Sequence, residues 1–114
     1  MDTPPLGSLL IGSPDVAAMK SWYTDVLVAK ENEMGALTFG PIMLFIEEHS
    51  EVSGRAKDAP RIILDLDVTD VREWEKHLDS KGVTWVRRVE QTPNGLIGTV
   101  EDPDGNYVQV IQWG

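Results

Sequence analysis

The sequence predicts an α+β fold in which two βαβββ modules form a curved, partly open eight-stranded sheet rich in antiparallel pairs. The hydrophobic pattern changes between the two-residue period of strands and the three-to-four-residue period of helices in the same order twice. Asp15-Val16 and Asp70-Val71, each followed by apolar side chains at helical spacing, stand 55 positions apart in a chain of 114 residues. We therefore expect a single domain with modules at residues 6–48 and 61–113, joined by a connector at residues 49–60.

The first module begins with a short apolar strand at residues 6–11. Asp15 is the expected N-cap of a helix over residues 16–27, because apolar side chains recur there at steps of three and four. The helix is followed by three antiparallel strands, which Gly35, Gly40 and Pro41 separate. These strands are predicted at residues 28–34, 36–39 and 42–48.

The second module repeats this order after a polar connector without periodicity. A strand is predicted at residues 61–68, followed by a helix over residues 70–81 with Thr69 as its N-cap and Gly82 as its C-terminal stop. Three further strands complete the module, at residues 83–89, 96–101 and 107–113.

Composition excludes several classes of function. The formal net charge is −9 with only ten Lys and Arg residues, whereas a nucleic-acid groove needs clustered basic side chains. The chain has no cysteine, which excludes disulfides, thiolate metal sites and a cysteine nucleophile. No targeting signal or apolar run long enough to cross a membrane is visible, so we expect a soluble cytoplasmic protein without a membrane partner.

Alternation along the strands predicts which side chains face the concave surface of the sheet. In the strand at 61–68, Ile62, Leu64, Leu66 and Val68 are expected beneath a helix, and Ile63, Asp65 and Asp67 on the concave side. In the last strand, Val108 and Val110 are expected beneath a helix. The remaining concave positions are Ser8, Leu10, Tyr107, Gln109, Ile111 and Trp113. A curved, half-polar surface of this kind is suited to a small molecule.

The turn Asp102-Pro103-Asp104-Gly105-Asn106, followed by an alternating strand, closely resembles the C-terminal signature of the vicinal oxygen chelate superfamily. That superfamily includes glyoxalase I, extradiol dioxygenases, fosfomycin-resistance enzymes and bleomycin-resistance proteins. Asp15-Val16, Trp22-Tyr23 and Leu27 resemble a second stretch typical of the family, in which Val28 stands where a Gly is usual. The resemblance covers nearly the whole chain and implies the same paired βαβββ architecture.

The resemblance also implies a divalent metal held by His, Gln or Glu side chains on the concave surface. Carried over by motif, the four ligand positions fall on Ser8, on Leu44 or Phe45, on Ile63, and on Gln109. Three of these cannot serve as ordinary ligands, and one Gln cannot hold a metal alone. The two histidines, His49 and His77, are expected to be solvated surface residues. We therefore expect no metal, no cofactor and no metal-dependent isomerisation, ring cleavage or thiol transfer.

Members of the superfamily that lack a metal resemble bleomycin-resistance and related drug-binding proteins, which sequester a ligand in a groove formed with a second subunit. Asp65 and Asp67 are candidates to pair with a cationic ligand, and three aromatic residues are candidates to stack on a flat ring or an aliphatic cation. The candidate ligand-binding residues are Ser8, Asp65, Asp67, Trp85, Tyr107, Gln109 and Trp113.

Each of these assignments has an alternative. The two aspartates are equally suited to a solvated strand face. Trp85 and Trp113 are suited to burial at a dimer interface, where Trp is a frequent anchor residue. Arg87 and Arg88 are able to neutralise Asp65 and Asp67, which would cancel a preference for cations.

The function we expect is therefore metal-free binding of a drug or metabolite by a homodimer, since two-fold pairing covers exposed sheet edges. A lyase, isomerase or dioxygenase is the main alternative, with Asp65 or Asp67 as base. A second version of this enzymatic alternative has a metal site made by Glu47 or Glu48 with Gln109 and an acidic residue, if the fourth strand is shifted by one residue. A noncatalytic interaction module is the third possibility.

Overall fold

Each half of the chain forms a four-stranded sheet with one helix in a computed structural model, which describes residues 1–114. The chain divides into two compact units, Met1–Gly54 and Arg55–Gly114. The division lies inside the predicted connector. The α+β fold of two βαβββ modules is confirmed, and its eight strands are divided equally between two open sheets.

The first unit contains one helix and a sheet in which the first strand pairs with the fourth. Strands β1 and β4 are parallel, and the pairs β4–β3 and β3–β2 are antiparallel, so the sheet order is β1-β4-β3-β2. The elements are β1 (Ser8–Gly12), α1 (Val16–Val26), β2 (Lys30–Glu31), β3 (Leu37–Phe39) and β4 (Ile42–Glu47).

Helix α1 begins where the sequence predicts. The carboxylate of Asp15 accepts a hydrogen bond from the backbone N–H of Ala18 at 3.0 Å, which satisfies one of the unpaired donors of the first turn. The predicted stripe includes Met19 and Tyr23, which are fully buried, and the Tyr23 ring makes an edge-to-face contact with Phe39 on β3. This packing identifies the face of the first sheet that α1 covers.

Strand β2 is much shorter than the predicted strand at 28–34. The Asn32 side chain accepts hydrogen bonds from the backbone N–H groups of Met34 and Ala36, both at 3.0 Å. Because this local bonding holds the chain in a turn, the strand ends at Glu31.

The second unit repeats the order of the first. The parallel pair is β5–β8, and the sheet order is β5-β8-β7-β6. The elements are a short 3₁₀ turn (Ala59–Arg61), β5 (Leu64–Asp67), α2 (Val71–Ser80), β6 (Thr84–Thr92), β7 (Gly95–Glu101) and β8 (Tyr107–Trp113).

Two predictions at the start of this unit are wrong. The strand at 61–68 begins only at Leu64, because the residues before it form the 3₁₀ turn, and Ile62 is 71% exposed instead of lying beneath a helix. The N-cap of α2 is Asp70 rather than Thr69, since the Asp70 carboxylate accepts the N–H of Glu73 at 3.1 Å. Asp70 therefore repeats the role of Asp15.

Helix α2 is fixed to the sheet at its first residue. The N–H of Val71 donates to the side-chain oxygen of Gln112 on β8 at 2.9 Å, and the side chains of Val71 and Leu78 are fully buried. The sheet residues beneath α2 include Val108 and Val110, which are also buried. Neither helix has the length and apolar character that crossing a lipid bilayer requires.

Candidate functional site

The candidate site lies on the face of the second sheet that is turned away from α2. Leu64 and Leu66 of β5 stand opposite Val108 and Val110 of β8, and these four side chains point toward the helix. Because side chains alternate along a strand, Asp65 and its neighbours at odd positions point the other way. We call this surface the β5–β8 face and define it by Asp65, Asp67, Tyr107, Gln109 and Trp113.

A row of three polar side chains crosses this face. Gln109 on β8 stands opposite Asp65 on β5 and opposite Thr99 on β7. Its Nε2 donates to Asp65 Oδ1 at 2.6 Å, and its Oε1 accepts from the hydroxyl of Thr99 at 3.0 Å. Thr99 is buried, with 4% of its surface exposed. Thr99 is not among the residues predicted from the sequence, because only the pairing of β7 with β8 brings it to Gln109.

Asp67, the next residue of β5 on this face, forms a second polar pair with Trp113. The indole Nε1–H of Trp113 donates to Asp67 Oδ1 at 2.8 Å, while 60% of the Trp113 surface is exposed. Both aspartates are exposed. Each accepts one hydrogen bond from an uncharged N–H donor, and neither takes part in an ion pair. The β5–β8 face thus combines two carboxylates with an exposed aromatic ring.

Trp85 lies on the opposite face of the sheet from these residues. It stands across from Val100, which points toward α2, and its Nε1–H donates to Asp79 of that helix at 2.8 Å. The guanidinium of Arg88 lies 4.5 Å from the centre of the Trp85 ring and binds both oxygens of Asp79, at 2.8 and 2.9 Å. Trp85, a candidate for stacking on a ligand, therefore lies apart from the residues of the β5–β8 face.

The two arginines of β6 do not neutralise the candidate aspartates, contrary to one alternative. Arg87 pairs with Glu90 on its own strand, and Arg88 pairs with Asp79 and Glu75 of α2. The hydrogen bonds from Arg88, and secondarily from Trp85, lower the pKa of Asp79 from its ordinary value of 3.8 to about 2. The bond to Asp79 in turn raises the pKa of Arg88.

The remaining candidates are Tyr107 and Ser8. Tyr107 is half-buried at the start of β8 and stands opposite Glu101, whose carboxylate accepts from Arg55 at 2.8 Å. Ser8 belongs to the first unit, where it is exposed at the start of β1 and stands opposite Met43. Both residues lie on the helix-free faces of their sheets, as the alternation predicts.

The residues at the four positions implied for a metal do not fit one. Leu44 is buried beside Leu37, on the side of the sheet that α1 covers, so Phe45 occupies the helix-free face. Phe45 and Ile63 offer only hydrocarbon, and the Gln109 amide is hydrogen-bonded at both ends. No group of three or more His, Cys, Asp or Glu side chains is arranged to hold an ion.

The two histidines have local partners instead. His49 Nδ1 accepts the backbone N–H of Glu51 at 3.1 Å, and the His77 ring makes an edge-to-face contact with Trp74, with 5.3 Å between the ring centres. Neither contact belongs to the β5–β8 face.

Comparison with protein families gives one match, to the model described as the Glyoxalase/Bleomycin resistance protein/Dioxygenase superfamily, over residues 6–110. A search of curated proteins finds no match. Many solved structures share the fold.

Three of these structures illustrate the range of proteins that share the fold. A family enzyme from Burkholderia phytofirmans PsJN is 20% identical with a TM-score of 0.79, covering 97% of this chain and 100% of that one. An antibiotic-binding protein from Streptomyces sp. CB03234 is 20% identical with a TM-score of 0.75, covering 100% and 99%. A lactoylglutathione lyase from Agrobacterium tumefaciens is 20% identical with a TM-score of 0.72, covering 96% of each chain. At this identity the likeness establishes the fold.

Proposed function

Because this chain belongs to the glyoxalase/bleomycin resistance protein/dioxygenase superfamily, we propose that it binds and sequesters a small molecule without a metal ion. Membership alone does not select a function, since function on a shared scaffold resides in the site. The similar structures include both an antibiotic-binding protein and a lyase. The choice between these classes therefore depends on the side chains of this chain.

The observation that carries the proposal is the pair of carboxylates beside an exposed indole ring. Asp65 and Asp67 point to the same side of β5 and receive only uncharged donors, so their negative charge is not cancelled by a neighbouring cation. The Trp113 ring is 60% exposed and its N–H is already bound, which leaves its face for stacking. A ligand with a cationic group and a flat ring matches this combination.

The charge of the whole chain supports the same ligand class. The formal net charge is −9, and the arginines of β6 are occupied by Glu90, Asp79 and Glu75. A surface of this sign attracts small cations and repels anions over about a Debye length. The proposed binding residues of the second unit are Asp65, Asp67, Tyr107, Gln109 and Trp113.

We also propose that the protein acts as a homodimer. Each open sheet ends in two edge strands whose outer backbone groups have no partner strand in the sheet. Pairing with a second copy is a common way to cover such edges. Sedimentation equilibrium should give twice the 12.7 kDa mass of the chain, and a monomer at micromolar concentration would contradict this part of the proposal.

A thermal-shift screen tests the binding proposal. Cationic aromatic compounds, bleomycin among them, should raise the melting temperature, because a ligand at a hundredfold its dissociation constant stabilises the fold by about 2.7 kcal/mol. The double variant Asp65→Asn with Asp67→Asn should lose this shift. Replacement of the exposed Glu33 by Gln, which removes one charge elsewhere, should keep it. A shift that survives in the double variant would contradict the assignment of the site.

Metal analysis of the purified protein separates this proposal from the enzymatic alternative. We expect less than a tenth of an equivalent of Zn, Ni, Mn or Fe per chain after purification in the presence of each ion. A stoichiometric ion would favour a lyase, isomerase or dioxygenase and would overturn metal-free binding.

A further inference from the structure

We propose that Thr99 is a positioning residue of the β5–β8 face. Its hydroxyl holds the Gln109 side chain in place, and the Asp65 carboxylate orients the amide so that an N–H donor stands beside it. This arrangement selects ligands that carry a hydrogen-bond acceptor next to a donor, as a carboxamide or a ring lactam does. The inference rests on the proposed binding function and adds the chemistry by which the site discriminates.

An amide side chain can adopt two orientations of nearly the same shape and opposite hydrogen-bonding character. A rotation of 180° exchanges the oxygen, which only accepts, with the NH₂ group, which only donates. In Gln109 the NH₂ group faces Asp65 at 2.6 Å and the oxygen faces Thr99 at 3.0 Å. An ionised carboxylate can only accept, so the bond to Asp65 requires this orientation.

Thr99 holds the Gln109 amide in place from the other end of the row. Only 4% of the Thr99 surface is exposed, and its hydroxyl donates to the Gln109 side-chain oxygen. A buried hydroxyl without a partner costs about 1–3 kcal/mol, so the pair favours the state in which both groups are bonded. The β-branched side chain of Thr99 also has few rotamers, which limits how far its hydroxyl can turn away.

The locked row leaves a defined pair of groups for a ligand. Gln109 Nε2 carries a second N–H, and Asp65 has a second carboxylate oxygen; neither has a partner within the chain. A carboxamide complements both, because its C=O can accept from Gln109 and its N–H can donate to Asp65. A carboxylate ligand is repelled by the negative charge of Asp65, and a tertiary amide has no N–H group to donate to the Asp65 oxygen.

Nuclear magnetic resonance of the Gln109 side-chain NH₂ group tests the positioning role without any ligand. The proton bonded to Asp65 should resonate well downfield of its geminal partner in the unaltered protein. Thr99→Val removes the hydroxyl at nearly constant shape and should collapse this separation by at least half. Thr99→Ser keeps the hydroxyl and should retain it. An unchanged Gln109 signal in Thr99→Val, with the fold intact by circular dichroism, would overturn the proposal.

Titration with three matched probes tests the ligand class. Benzamide offers an acceptor beside a donor, N,N-dimethylbenzamide offers only the acceptor, and benzoate adds a negative charge. We expect benzamide to bind at least tenfold more tightly than the other two, with shifts of the Gln109 amide and Trp113 indole signals. This ratio should fall to about one in Thr99→Val and recover in Thr99→Ser.

The outcomes separate this inference from the proposed function. If cationic aromatic compounds stabilise the protein but benzamide shows no preference over its dimethyl analogue, the inference fails and the binding function stands. If no small molecule in the screen stabilises the protein, the proposed function fails and the ligand preference fails with it. The NMR signature of the Thr99 variants would then still decide the positioning role alone.

Discussion

Val28 and Gly82 occupy the same position in the two modules, one residue beyond the C-cap of each helix, and both adopt the left-handed backbone conformation. The φ angle is +61° at Val28 and +68° at Gly82. The C-caps are Leu27 after α1 and Lys81 after α2. Glycine adopts this conformation without steric cost, whereas a β-branched side chain crowds the backbone there.

Replacing Val28 by Gly should therefore stabilise the protein. The left-handed conformation costs a non-glycine residue about 1–2 kcal/mol, which glycine avoids. Glycine also makes the unfolded chain more flexible, and this offsets about 0.5–1 kcal/mol of the stabilisation. We expect a net gain of about 1 kcal/mol in the free energy of unfolding, measured by urea denaturation. Little packing is lost, because the side chain of Val28 lies mostly in solvent.

The matched control is Gly82→Val, which introduces the same strain into the second module and should destabilise the fold by about 1–2 kcal/mol. A loss of stability in Val28→Gly would mean that contacts of the valine outweigh its backbone strain.

The ion pair between Asp79 and Arg88 should make stability depend on pH in the acid range. The pKa of Asp79 is lowered from 3.8 to about 2 in the folded protein, so folding favours the ionised form. Its contribution is present in full above pH 3.8 and is lost as the pH falls toward 2. Asp79→Asn should therefore be less stable than the unaltered protein at pH 7, with a difference that shrinks over this interval.

Denaturation midpoints at pH 7, 4 and 2.5 measure this dependence. Glu33→Gln, which removes an exposed carboxylate on the first unit, is the charge-matched control. The stability difference should also decrease in 1 M salt, because Asp79 is exposed. A stability difference between Asp79→Asn and the unaltered protein that stays constant with pH would show that the ion pair with Arg88 is not its cause.

The turn between β7 and β8 depends on the carboxylate of Asp102. This buried side chain accepts hydrogen bonds from the backbone N–H groups of Asp104 and Asn106, both at 2.9 Å, and from the Asn106 side chain at 2.9 Å. Removing it leaves several donors without their partner. We expect Asp102→Ala to lower the free energy of unfolding by about 3 kcal/mol, measured by thermal or urea denaturation.

Asp104→Ala is the contrasting variant in the same turn. One oxygen of the Asp104 carboxylate is buried without a hydrogen-bond partner. Its removal relieves an unsatisfied polar atom, so stability should stay within about 0.5 kcal/mol or increase. Equal losses in the two variants would show that the turn responds to any substitution and that Asp102 has no special role.

The hairpin between β6 and β7 requires glycine at position 95. Gly95 has a φ angle of +136°, and a Cβ atom there would lie 2.2 Å from the backbone oxygen of Gln112. Gly95→Ala should cost about 3 kcal/mol or more, since backbone strain and a collision with a rigid group act together. At Gly40 the φ angle is +58° and the space is open, so Gly40→Ala should cost only about 1 kcal/mol. Similar losses of stability in the two variants would show that the contact with the Gln112 oxygen contributes little.

Much of the fold was visible in the sequence because it is encoded locally. The acidic cap at Asp15 and the apolar stripes of both helices act over a few residues, whereas the cap of α2 was expected at Thr69 and lies at Asp70. The last strand, Tyr107–Trp113, has the bounds that alternation predicts. Alternation also assigned Asp65 and Gln109 to the same side of the sheet as each other.

Errors arose where distant segments decide the outcome. The position of Trp85 follows from its pairing with Val100 and from register shifts in β6 between Trp85 and Arg87, which periodicity does not reveal. Arg88 reaches Asp79 because α2 packs beside β6, and that choice of partner is not local.

The sequence by itself determined the order of the elements and the faces of the regular strands. Only the tertiary structure decided that Thr99 completes the row with Gln109 and Asp65, and that Arg88 of β6 pairs with Asp79 of α2. The physical reason is that helix caps and alternation depend on neighbours along the chain, whereas hydrogen bonds across strands depend on register, which the whole sheet sets.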